Sequence, residues 1–139
     1  MKRLFKYFFV IMTLIWMNAI LADSVNVPIN KDFSLGIGQT ASIEREKLFI
    51  KFKAVLEDSR CPVNVVCVWA GNGKVEFEIL DIDGQNKTVT LNTDEEPGAT
   101  TLKEHTLKLI SLNPPRVDGI SISPGDYSVT LHVGRKSPD

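Results

Sequence analysis

The sequence predicts an all-β fold: a two-sheet antiparallel β-sandwich of seven to eight short strands. Three observations carry that prediction. Apolar and polar residues alternate over 48–56, 74–82 and 127–133, the period of a strand with one buried face. Turn signals recur between the apolar runs: Gly71-Asn72-Gly73, Asp83-Gly84, Pro97-Gly98, Asn113-Pro114-Pro115 and Pro124-Gly125. No segment carries a strong amphipathic helical face, a heptad or an internal repeat. The immunoglobulin arrangement is one form of such a sandwich; a small closed barrel is the competing all-β architecture.

Residues 1–22 read as a targeting segment. Lys2, Arg3 and Lys6 precede a nearly unbroken apolar run over 7–17, and Ala22 offers a small residue at a cut, with Ile20 two positions before it. The run is short for a membrane span, so a cleavable secretory signal is expected, with an uncleaved anchor as the alternative. Residues 23–139 then suit a single domain. Removing 1–22 takes away three of the 16 basic residues and none of the 17 acidic ones, leaving a formal charge of −4. That balance, with no basic patch interleaved with aromatics, argues against nucleic acid as a partner. No membrane association is expected once the signal is removed, and the exported destination is the periplasm or the medium.

A short strand is expected over 25–29, and Pro28 places it at a sheet edge because proline cannot donate to a ladder. A second is expected over 40–45, followed by a charged turn, 44–47. The clearest strand is 48–56, with Leu48, Ile50, Phe52, Ala54 and Leu56 on one face and Lys51 and Lys53 on the other. In 74–82, Val75, Phe77 and Ile79 oppose Glu76 and Glu78. If the two strands pair antiparallel, the lysines and glutamates share an outer face. Asp83-Gly84 signals a hairpin into 88–92. The run 81–86 is an incomplete calcium-loop pattern, with its glycine too early and no distal glutamate. Residues 93–101 read as a loop whose acids are solvated. A strand over 102–112 changes apolar phase between Leu109 and Ile110, which predicts a bulge. Ile120 and Ile122 mark a short strand. The last, 127–133, turns Tyr127, Val129, Leu131 and Val133 inward and His132 outward, and 134–139 form a polar tail.

The most unusual stretch is 57–73, which holds both cysteines of the chain, Cys61 and Cys67, and one of its two tryptophans. A ring closed between the cysteines would add roughly 2 kcal/mol in a chain-entropy account. Two thiols are too few for a structural zinc site, and their spacing is not that of a redox pair. A structural disulfide is therefore the first reading, with a metal or redox role as the alternative. Asp58 and Arg60 either pair to fix the turn, or Arg60 is offered to an anionic partner. Trp69 is either a core residue packed on the ring or an exposed anchor. Its apolar neighbours Val66, Val68 and Ala70 favour the core.

The segments Asp58-Ser59-Arg60-Cys61-Pro62 and Cys67-Val68-Trp69-Ala70-Gly71 resemble a motif of small bacterial exported proteins and lipoproteins, a family that brings no established activity. The resemblance covers about residues 38–133. It implies export, a disulfide between Cys61 and Cys67, an all-β domain and a closing strand that bears a tyrosine. This chain departs from the lipoproteins in having no cysteine at the end of its signal, so lipid anchoring is not expected.

The functional expectation is a secreted or periplasmic, non-enzymatic module that recognises a protein or peptide through the cysteine loop. The candidate contact residues are Asp58, Arg60, Asn64 and Trp69. The alternatives are a structural or accessory domain in which the loop is a staple, and a metal-binding exported protein. No catalytic residue, metal ligand set or cofactor is expected. His105 and His132 belong to no recognisable motif, and a nucleophile such as Ser59 needs a base within reach.

Overall fold

A computed structural model of the chain describes residues 24–81 and 83–136. The expected signal, 1–22, lies outside the described residues. Among the described residues nine strands form two sheets. The first contains β1 (Ser24–Val27), β3 (Thr40–Ile43), β4 (Leu48–Asp58), β5 (Gly73–Leu80) and β6 (Asn86–Asn92), in the order β1-β3-β4-β5-β6. The second contains β2 (Asp32–Gly36), β7 (Ala99–Leu102), β8 (His105–Asn113) and β9 (Ser128–Arg135), in the order β2-β9-β8-β7. Every pairing is antiparallel except β1 with β3.

The alternation read from the sequence is what lets the two sheets face each other. Ile50, Phe52, Val75, Phe77 and Leu91 from one sheet, and Leu35, Leu107, Val129, Leu131 and Val133 from the other, are all fully buried. Each such side chain contributes about 1.5–3 kcal/mol by leaving water. Phe52 and Phe77 face each other across β4 and β5, with ring centroids 5.8 Å apart. On the outer face Lys51 opposes Glu78, and Lys53 Nζ lies 3.1 Å from Glu76. The shared lysine–glutamate face is as expected, as is the bulge in β8, where the register shifts between Leu109 and Ser111.

Several details differ from the expectation. Among the described residues there are nine strands rather than seven or eight: β2 lies where no strand is expected, and most of β7 lies in the segment read as a loop. The strand expected over 102–112 is the end of β7, a tight turn and then β8. Around Ile120 there is only a single bridge, to Val117. The alternation in β4 fails after Phe52. Register shifts between Phe52 and Ala54 and between Val55 and Glu57 turn Val55 toward the core and leave Leu56 52% exposed. Each bulge adds a residue on one strand and reverses the faces beyond it. The strand order also differs from the immunoglobulin one, which interleaves its strands between sheets. Here β3–β6 and β7–β9 are consecutive meanders, and the early chain crosses from β2 to β3 between the sheets.

Candidate functional site

The cysteine loop connects β4 to β5 at one end of the sandwich, and three layers of contact build it. The first is a neck. Ser59 N–H donates to Asn72 O (2.8 Å), and Cys61 N–H donates to Ala70 O (2.7 Å). Gly71 closes the neck with φ +72, and a Cβ there would overlap the Ser59 carbonyl oxygen, so only glycine fits. Beneath it Asn72 is buried. Its Nδ2 donates to Asn92 Oδ1 (2.9 Å), and its Oδ1 accepts from Thr93 N–H (3.2 Å). This asparagine ties the loop base to the β6–β7 connection.

The second layer is a charged lock. Arg60 Nε donates to Asp58 Oδ1 (2.7 Å) and Nη2 to Asp58 Oδ2 (2.8 Å), a two-pronged pair. Arg60 also donates to the carbonyls of Leu112, through Nη1, and Pro114, through Nη2. Tyr127 O–H donates to Asp58 Oδ2 (3.0 Å) from the chain just before β9. The side chains of Arg60 and Asp58 are only 13% and 8% exposed. Burial alone would raise the Asp58 carboxyl. The hydrogen bonds from Arg60 and Tyr127, with the guanidinium charge, outweigh it and hold the carboxyl below its usual range. The Tyr127 hydroxyl is raised, first by burial and then by the adjacent carboxylate. Asp58 and Arg60 therefore fix the turn, and their polar atoms are turned inward rather than offered to a partner. The tyrosine of the closing strand region is the third member of this lock, which the spacing of the sequence did not reveal.

The third layer is the loop itself. Cys61 and Cys67 are joined by a disulfide, with Cα atoms 5.9 Å apart. The 114–120 segment braces one flank: Arg116 Nη1 donates to Arg60 O (2.7 Å), and Val63 N–H to Arg116 O (2.9 Å). Asp118 N–H donates to Asn64 Oδ1 (2.8 Å), so the amide oxygen of Asn64 serves the brace. The apolar side chains project outward: Val66 is fully exposed, Val68 89% exposed and Trp69 82% exposed. This corrects the expected core position of Trp69. The interior was already filled by Phe52, Phe77 and the strand residues, and the ring between Cys61 and Cys67 holds its valines away from it. No charged residue lies between Cys61 and Asn72. Of the eleven large hydrophobic residues exposed among the described residues, seven sit at this end: Leu56, Val63, Val65, Val66, Val68, Trp69 and Ile120.

The rest of the molecule is chemically quieter. A cleft of about 600 Å³ opens at the far end beside Leu48, Ile79 and Leu102. Most of its charges pair within the protein. Lys103 lies against Asp81 (3.0 Å) and Asp83, and Glu46 accepts from Arg135 Nη2 (2.7 Å). His105 Nε2 is buried 3.1 Å from Glu46 Oε2, at bonding distance but without bonding geometry. His132 Nδ1 lies 2.7 Å from Asp32 Oδ1 on the outer face of the second sheet. Ser59 Oγ is bonded to the Asn72 carbonyl (3.1 Å), not to either histidine. Among the described residues no three of histidine, cysteine, aspartate and glutamate gather as a metal site, and no helix is long and apolar enough to cross a membrane.

Comparison with known proteins adds nothing to the geometry: no family model, no curated protein and no solved structure matches the chain.

Proposed function

We propose that the protein is an exported, non-enzymatic recognition module that binds a protein partner through the disulfide-closed loop. The observation that supports this most is the contrast within the loop. Its charged residues are spent inward on a buried lock, while its apolar residues, Val66, Val68 and Trp69, stand in water with no charge among them. A rigid scaffold that presents a tryptophan and valines at one tip has the composition of an interface centre. The contact set is thereby shifted from that expected of the sequence. Trp69 remains a contact and is joined by Val66 and Val68, Asn64 belongs to the brace, and Asp58 and Arg60 act by holding the loop in place. Export is supported by the basic-then-apolar leader and is weakly favoured by the disulfide.

The test compares the wild-type protein with a Val68→Ser, Trp69→Ser variant as baits on the exported protein fraction. Both side chains are exposed, so the variant keeps the wild-type melting temperature. A protein captured stoichiometrically by the wild type and lost by the variant is the expected result. Equal capture by both would place recognition elsewhere, and no capture by either would favour the purely structural role.

A further inference from the structure

The cysteine loop is not the only unsatisfied surface at its end of the sandwich. β4 is a central strand, yet half of it has a neighbour on one side only. β3 pairs with it through Lys51 and no further. Phe52 then makes the last two backbone bonds on that side, donating to Gln39 O (3.1 Å) and accepting from Gly38 N–H (2.8 Å). At that point the chain is crossing between the sheets: β2 ends at Gly36, Ile37 N–H donates to Tyr127 O (3.3 Å), and β3 begins at Thr40. From Ala54 to Asp58 the β3 side of β4 has no strand or loop backbone bonded to it among the described residues.

This open side faces a slot of about 360 Å³. Ala54, Val55 and Leu56 of β4 line it together with Ile37, Ile122, Pro124 and Tyr127. The charges along it are already engaged: Lys53 with Glu76 (3.1 Å), Glu57 with Lys74 (3.9 Å), and Asp58 with Arg60 and Tyr127. What the slot still offers is a short length of free strand edge beside an apolar trough. We infer that this edge binds a short extended peptide, which adds to β4 as a strand and sets alternate apolar side chains into the trough. Backbone bonds would supply the affinity, and Leu56, Ile122 and Tyr127 the side-chain preference. The two bulges of β4 lie within this same segment, and bulges are a common device against edge-to-edge sheet growth. They limit the usable edge to a few residues. The occupant is therefore a peptide segment of a partner, and not a second copy pairing sheet to sheet. The inference does not rest on the loop tip, since neither Trp69 nor Val68 lines the slot.

The experiment selects displayed random linear peptides, long enough for one strand of about six residues, against the purified protein. The best binder is then titrated against variants. Expected are peptides with apolar residues at every second position. N-methylation at alternate peptide positions should abolish binding, and methylation at the intervening positions should be tolerated. Leu56→Lys and Ile122→Lys should each weaken binding about tenfold or more, the scale of one apolar side chain kept from burial. Neither side chain belongs to the core cluster, so both variants keep the native circular dichroism spectrum. Trp69→Ala should bind as the wild type does. The inference is overturned if no peptide is enriched, if the methylation scan is flat, or if binding is indifferent to both slot variants. It is also overturned if binding is lost with Trp69→Ala, a result that would assign the peptide to the loop tip and leave the proposal for that tip standing.

Discussion

Replacing Arg60 with alanine is the perturbation whose cost the structure defines most sharply. The guanidinium makes two bonds to Asp58 and one each to the carbonyls of Leu112 and Pro114, and its side chain is 13% exposed. Removing it leaves the Asp58 carboxylate, 8% exposed, with the Tyr127 hydroxyl as its remaining side-chain donor. Breaking a buried pair from one side costs about 3–5 kcal/mol, because a charge is left without its counterpart. That is a large part of the total stability of a domain, about 5–15 kcal/mol. At this chain length it corresponds to a fall in Tm of ~12–20 °C. Urea unfolding measures it directly, as a lower midpoint with an unchanged slope. The variant should be compared with Asp58→Ala and with the double replacement, which removes the stranded charge and should recover part of the loss. A cost under about 1 kcal/mol would refute the reasoning, since that is the range of a solvated surface pair.

Three other outcomes follow from the same geometry. Gly71→Ala should destabilise by more than about 1 kcal/mol in urea unfolding, because positive φ and the overlap with Ser59 O act together; a neutral result would mean the neck is not closed as described. Reducing the Cys61–Cys67 bond should cost about 2 kcal/mol, the entropy of a small ring, without loss of the strand signal in circular dichroism. The Asp58 carboxyl is held low in the folded state, so as pH falls the unfolded chain takes up its proton first, near the usual aspartate value of about 4. Its contribution is full above that value and is lost as pH drops through the lower folded value. The stability gap between wild type and Asp58→Asn should accordingly narrow below about pH 4; a gap that stays constant would show that the carboxylate is not preferentially stabilised.

How much of this was legible in the sequence varies from element to element. Strands that bury one full face announce themselves. Ile50 and Phe52, Val75 to Ile79, and Val129 to Val133 alternate because each is sandwiched between neighbours and a core. Edge strands do not. β7 buries only Leu102, and β2 fully buries only Leu35, so neither builds a readable period. The β7–β8 turn is hidden for a different reason. Lys103 adopts φ 53 without the Gly or Asn that normally marks such a turn, and the two strands read as one. The bulges of β4 break the period within a strand, and nothing in Lys53-Ala54-Val55-Leu56 marks where an extra residue is accommodated. At the site, the pairing of Asp58 with Arg60 was one of two open readings, and burial decided it. Asn72 looked like a turn residue, and its role depends on Asn92 and Thr93, twenty residues and more away. The exposure of Trp69 is not legible because local apolarity usually means burial. A disulfide-braced loop can hold apolar residues out in water, and local composition does not distinguish the two cases.

The measurement that tests the account most directly is tryptophan fluorescence of the free protein. The chain has two tryptophans, and in a Trp16→Phe background Trp69 is the sole tryptophan, excited selectively at wavelengths where tyrosine does not absorb. The account predicts native emission at the wavelength of tryptophan in water, ready quenching by iodide and almost no shift on unfolding in urea. Blue-shifted native emission, shielded from iodide and moving to the red on unfolding, would place Trp69 in the interior and contradict the exposed loop on which the proposed recognition role rests.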